Sequence, residues 1–214
     1  MPVEICPAPD IDTYSFHHVV DGITVHAAPS PALDVKVVIE RADGTPVATI
    51  DAKNAGIAED KALLLPTGDY FAVVSSYASR TLGSYDLTLT SNTIDCTDTH
   101  EGGEALATPD AYATGYTGAI CPAADAEFVR FDTAGGDVTV AAGADAYLDV
   151  VLEVFDSTGT LVAGGHIDDR YEGDPESRVL HSVPAGSYTV KVTSFRAASR
   201  GGYRLSVTTA PSGS

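Results

Sequence analysis

LDVKVVIERADGTPVA (residues 33–48) and LDVVLEVFDSTGTLVA (residues 148–163) are one stretch written twice. In each, every second position is apolar: Leu33, Val35, Val37 and Ile39 in the first, Leu148, Val150, Leu152 and Val154 in the second. Successive side chains of a strand point to opposite faces, so each set lines one face and turns it inward. Both runs end in a turn signal, Asp43-Gly44 and Thr158-Gly159. The reading is strand, turn, strand, and then the same again.

The duplication extends in both directions. ICPAPDIDTYSF from Ile5 lies on ICPAADAEFVRF from Ile120, and from 5 to 48 the two copies align without a gap. Sixteen of those forty-four positions are identical, among them Cys6 with Cys121, Asp10 with Asp125 and Phe16 with Phe131. After a three-residue insertion, LPTGDYFAVVSSY from Leu65 meets VPAGSYTVKVTSF from Val183, and GSYDLTLT from Gly83 meets GGYRLSVT from Gly201. Alternation recurs in Tyr70, Ala72, Val74 and in Tyr188, Val190, Val192. It recurs again in Tyr85, Leu87, Leu89 and in Tyr203, Leu205, Val207. Seven or so short strands per copy, with no helical stretch of useful length, predict an all-β chain of two tandem antiparallel β-sandwich domains, residues 1–91 and 119–214. Residues 92–118, rich in Thr, Gly, Ala and acids and without a sustained apolar period, read as a linker.

Twelve Lys and Arg stand against thirty Asp and Glu, a net charge of -18. Such a surface repels phosphate backbones and anionic lipid, which argues against nucleic-acid binding. The acids are spread along the chain and 44% of residues are hydrophobic, so the charge does not imply disorder. The excess fits a cation-rich extracellular setting, a salt-adapted source, or simple solubility. No apolar run reaches the roughly 20 residues of a membrane span, and MPVEICPAPD lacks a signal-peptide pattern.

Four elements recur in order in both copies: D-x-D/E-x-x-x-F, an LDVxL-type strand ending in D-G or T-G, P-x-G-x-Y, and a closing G-S/G-Y-x-L. This series resembles the bacterial pre-peptidase C-terminal (PPC) domain family and is similar to the collagen-binding modules of secreted bacterial collagenases. The resemblance implies jelly-roll-like sandwiches and a secreted or cell-surface location. It also implies a non-catalytic accessory role beside a parent hydrolase or peptidase: attachment to an extracellular protein or polysaccharide polymer, or assistance with export. A calcium-stiffened spacer of a cell-surface adhesin is the alternative. Family members carry an E-P-N-D-like stretch before the domain that supplies calcium ligands. Here it reads His100-Glu101-Gly102-Gly103-Glu104, with Gly103 in place of the amide and Glu104 where Asp is usual.

Calcium takes six to eight oxygen ligands, so Asp98, Glu101, Glu104, Asp125 and Glu127 form a candidate calcium set if the linker folds back on the first strand. Solvated acids in a polar linker are the other reading. A second acidic group, Asp168, Asp169, Glu172, Asp174 and Glu176, reads as a solvated loop that differs in length between the copies. Of the three cysteines, Cys96 opens the linker and Cys121 opens the second copy, so the expected disulfide joins them; three unpaired thiols are the alternative. Cys6 is the counterpart of Cys121, and the expectation is that its partner lies in a removed upstream segment.

Tyr77, Phe195 and Tyr171 are candidates for a ligand face, with Tyr112 and Tyr116 beside them; core or loop packing is the alternative for each. The six histidines form no H-E-x-x-H, no G-x-S-x-G elbow occurs, and no Ser, His and Asp set is duplicated. Asp10 with Asp12 and Asp125 with Glu127 superficially match paired glycosidase carboxylates, but calcium ligation or turn capping suits them better. The chain is therefore expected not to be an enzyme and, calcium apart, to need no cofactor.

Overall fold

The computed structural model describes residues 3–6, 9–98, 100, 103–121, 125–195 and 199–210. It divides into two compact units, Met1–Thr93 and Ile94–Ser214. Unit 1 holds eight strands: β1 (Val3–Ile5), β2 (Ile11–His18), β3 (Gly22–Pro29), β4 (Val35–Arg41), β5 (Pro46–Ile50), β6 (Glu59–Leu64), β7 (Gly68–Ser76) and β8 (Gly83–Asn92). They form two antiparallel sheets, in the orders β1-β8-β3-β6 and β2-β7-β4-β5. That alternation of near and far strands is the jelly-roll order. Residues of both sheets meet in one core, in which Ile5, Val25, Leu33, Val37, Ile39, Ala72 and Val74 are fully buried. Each of these Val, Leu and Ile side chains contributes roughly 1.5–3 kcal/mol by leaving water.

Unit 2 repeats the plan with β10 (Thr117–Ile120), β11 (Ala126–Thr133), β12 (Gly136–Ala144), β13 (Val150–Asp156), β14 (Leu161–Ile167), β15 (Glu176–Val183), β16 (Gly186–Ser194) and β17 (Gly201–Ala210). A two-residue strand, β9 (Asp110–Ala111), precedes them. The sheets run β10-β17-β12-β15 and β14-β13-β16-β11-β9. Leu148, Val150, Leu152, Val154, Val190, Val192 and Leu205 fill the core, as their alternation predicts. The expected all-β, two-sandwich architecture is what the chain adopts.

The hairpins that follow the repeated LDV strands close identically. Gly44 and Gly159 both sit at φ 79°, a left-handed conformation that glycine reaches without the Cβ penalty. Their N–H groups donate to the carbonyls of Arg41 and Asp156, each 2.9 Å. The ladder of each hairpin is bulged, between Ile39 and Glu40 and between Glu153 and Phe155.

Two sequence readings are corrected. Residues 94–118, read as the greater part of a linker, belong to unit 2: β9 pairs with β11, and Tyr116 lies in the core at 4% exposure with Tyr112 packed against it. The stretch shows no apolar period because it contributes one two-residue strand and two tyrosines, too little to make a repeat. Tyr112 and Tyr116 are thus packing residues. The copies also do not differ in the length of the acidic loop. Ile50 and Ile167 hold the same register, opposite Val37 and Leu152, and Glu59 and Glu176 lie opposite Ala27 and Ala142. The extra residues sit inside β14, around the positive-φ Gly164, and in β15, beside Ser182 at φ 54°.

Candidate functional site

β11 carries Glu127 on its inward face, and Asp125 immediately precedes the strand. Glu127 is 1% exposed, and its Oε2 is buried without a hydrogen-bond partner among the described residues. Residues 103–121 pack back onto this strand, with the Phe128 N–H donating to the Gly103 carbonyl at 2.7 Å. That return brings Glu104 to the same place: Glu104, Asp125 and Glu127 each offer a carboxylate oxygen within 4.8 Å of the others.

Three carboxylates this close repel one another. Burial, followed by the charges of Glu104 and Asp98, pushes the Glu127 carboxyl up to about 8. Asp98 adds to the field while serving as a staple: its Oδ1 accepts from the His100 N–H at 2.7 Å and its Oδ2 from the Ala119 N–H at 2.8 Å. Asp125 Oδ2 accepts from the Cys121 N–H at 3.2 Å and its Oδ1 from the Ala126 N–H at 2.8 Å. Asp110 accepts from the Tyr116 hydroxyl at 3.3 Å, and burial together with Asp110 and Glu127 drives the Tyr116 phenol upward. The Tyr203 hydroxyl is also buried without a hydrogen-bond partner, and its pKa rises through burial and the neighbouring Tyr116, Glu127 and Asp98.

Of the five acids expected at this site, Asp98, Glu104 and Asp125 surround Glu127; Glu101 lies outside the described residues. A Cβ at Gly103 would stand 3.0 Å from the Phe128 carbonyl oxygen and 3.1 Å from Glu127 Oε2, so a larger residue there would need its neighbours to give by a few tenths of an ångström. Asp110 and Tyr203 were not expected at this site, and Tyr116 was read only as a ligand-face or packing aromatic, because the three reach it from separate strands or loops. The expected Cys96–Cys121 disulfide is present, with the two Cα atoms 5.6 Å apart, and it ties residue 96 to the end of β10.

Asp10 and Asp12 of unit 1 occupy the positions of Asp125 and Glu127; Asp10 caps its turn as Asp125 does, whereas Asp12 does different work from Glu127. Asp10 Oδ2 accepts from the Cys6 N–H at 3.0 Å, and Asp12 Oδ2 accepts from the Tyr85 hydroxyl at 2.7 Å. These are turn-capping and phenol-binding roles.

Tyr77 and Phe195 stand on equivalent corners, their N–H groups donating to the Asp34 and Asp149 carbonyls at 2.8 and 2.9 Å. Both are exposed, and Tyr171 is exposed at 82%. Glu176, read as a solvated loop acid, is buried at 1% and accepts from the Asp169 and Arg170 N–H groups.

No protein-family model matches the chain. No curated protein matches its sequence. Solved structures with some likeness include the PBSX exported protein XepA, at 12% identity and a TM-score of 0.36, covering 96% of this chain and 85% of that one. The secreted serine protease VesC from Vibrio cholerae gives 10% identity and a TM-score of 0.33, covering 91% of this chain and 49% of the protease. The N-terminal tandem CBM22 domains of a Paenibacillus barcinonensis protein give 12% identity and a TM-score of 0.27, covering 92% and 82%. Among the described residues, no helix is long and apolar enough to cross a membrane.

Proposed function

We propose that this chain is a calcium-binding accessory module of the PPC type, which attaches a secreted hydrolase or peptidase to an extracellular polymer. The observation that carries the calcium reading is the buried Glu127 Oε2, without a hydrogen-bond partner among the described residues and facing Glu104 and Asp125. A divalent cation would relieve both the missing partner and the mutual repulsion, and an all-oxygen set of this kind suits calcium. Glu104, Asp125 and Glu127 would hold it, with Asp98 adding negative potential. The ion would supply charge compensation, clamping Glu104 onto β11.

The Cys96–Cys121 bond supports an extracellular setting, because such bonds persist where the medium is oxidising. The exposed Tyr77, Phe195 and Tyr171 support a polymer-facing role, since aromatic side chains give large contact areas at little entropic cost. The spacer alternative draws on the position of Asp98 and Glu104, which precede the second sandwich and would be pinned to it by the ion.

The test is calorimetric titration with calcium, followed by co-sedimentation with collagen, chitin and cellulose in calcium and then in chelator. Calcium uptake with saturable retention on one polymer, reduced in Tyr77→Ala or Phe195→Ala, supports the attachment reading. Calcium uptake without retention moves the function to the spacer. No uptake removes the calcium site.

A further inference from the structure

The two sandwiches differ at one edge. In unit 2, β11 is paired on both sides, antiparallel to β16 and parallel to β9, with Val129 opposite Asp110 and Arg130 opposite Ala111. The Tyr112 N–H donates to the Arg130 carbonyl at 2.8 Å, and the Cys96–Cys121 bond anchors the covering segment. Under that cover the inward-facing Val129 and Phe131 are buried.

β2 is the counterpart of β11 in unit 1, and among the described residues it pairs with β7 alone. Tyr14 and Phe16, at the positions of Val129 and Phe131, are only partly buried, and Ile11 is 59% exposed. An edge strand with unpaired backbone groups and apolar side chains is a template for another strand. The receiving features are otherwise kept. Cys6 is exposed and unpaired, and its N–H is held by Asp10 as that of Cys121 is held by Asp125. Residues 94–118 of this chain are already committed to unit 2.

We infer that the outer edge of β2, with Cys6 beside it at the end of β1, is a docking surface for an extended, cysteine-bearing segment that is not among the residues of this structure. The segment has the chemistry of residues 94–118. A short strand adds parallel to β2, tyrosine side chains cover Tyr14 and Phe16, and a disulfide to Cys6 locks the register. The template is the molecule's own second half, and the inference does not depend on the attachment reading above. The covalent step is thiol–disulfide exchange with a segment whose cysteine is held as a mixed disulfide with a small thiol. The Cys6 thiolate attacks the segment's sulfur, the new S–S bond forms as the old one breaks, and the small thiol departs and takes up a proton.

The experiment mixes the full chain, with calcium present, with a synthetic peptide of sequence 94–118 carried as its glutathione mixed disulfide. A scrambled peptide with the cysteine in the same place is the control. Peptide mapping by mass spectrometry locates the adduct, and hydrogen exchange follows the Thr13 amide, the counterpart of the Phe128 N–H that donates to Gly103. The expected result is capture at Cys6 about tenfold faster for the native order than for the scramble, with slowed exchange at Thr13. The native peptide should also slow Thr13 exchange in Cys6→Ser, where no bond forms. Equal capture of the two peptides, or an adduct at Cys6 with Thr13 unprotected, overturns the inference.

Discussion

Glu59 and Glu176 hold one position in two sandwiches, and each carboxylate accepts from two consecutive backbone N–H groups of the loop before it. Glu59 takes those of Ala52 and Lys53 at 3.0 and 2.5 Å; Glu176 takes those of Asp169 and Arg170 at 2.9 and 2.5 Å. Both side chains are 1% exposed. Bonds from amides to an ionised acceptor are stronger than neutral ones, and deleting the acceptor leaves two donors unsatisfied. Glu59→Ala and Glu176→Ala should therefore each cost about 1–3 kcal/mol in denaturant unfolding, each confined to its own unit. A loss spread equally over both units would contradict a local loop-closing role.

Glu127 sets a pH dependence in unit 2. Its folded value of about 8 lies above the ordinary 4.5, so between those values the folded state keeps a proton that the unfolded chain has released. The stabilisation is complete below about 4.5 and lost as pH rises to about 8. Without calcium, the thermal midpoint of unit 2 should fall across this window, and Glu127→Gln should flatten the fall. A pH-independent midpoint in the wild type would rule out the raised carboxyl.

Calcium should reverse that trend if the acids hold it. Added calcium stabilises the folded state by mass action and competes with the proton on Glu127, so its effect should grow as pH rises. Glu104→Gln and Glu127→Gln should each abolish the calcium-induced shift in midpoint while leaving unit 1 unchanged. A shift that survives both substitutions would place the ion elsewhere.

The Cys96–Cys121 bond closes a loop with a sequence separation of 25. The chain-entropy relation gives about 3.5 kcal/mol for a loop of this size. Replacing both cysteines by serine should destabilise unit 2 by that order and raise hydrogen exchange in β9, with unit 1 unaffected.

Burial separates two leucines of unit 2. Leu152 is fully buried and Leu161 is 42% exposed. Leu152→Ala should cost about 2–5 kcal/mol, whereas Leu161→Ala should stay within about 0.5 kcal/mol. Chemical denaturation of the two variants checks the contrast.

The strands were legible because strand periodicity is a property of neighbours in sequence. Leu148, Val150, Leu152 and Val154 had to share a face, and the second copy confirmed each assignment against chance. The Cys96–Cys121 pairing was legible for the same reason, through the position of Cys121 at the head of a repeat. Residues 94–118 were not. Their fold depends on β11 and β17 offering partners, as when the Leu205 N–H donates to the Tyr116 carbonyl at 3.0 Å and the Val207 N–H to the Tyr112 hydroxyl at 3.1 Å. The equivalence of Glu59 with Glu176 was hidden as well, because the extra residues of the second copy fall in two strand bulges and displace the alignment between them.

The amino-acid sequence by itself determined that the chain is all-β, that it holds two copies of one module, and which faces of its strands turn inward, since these follow from alternation and self-similarity. Tertiary structure decided the rest. Whether an acid is solvated or buried depends on what lies across from it, and only the folded chain brings Glu104 to Asp125 and Glu127. The same physics decided that Tyr116 is core and that the edge of β2 is open while that of β11 is covered: backbone pairing and burial join residues far apart in sequence.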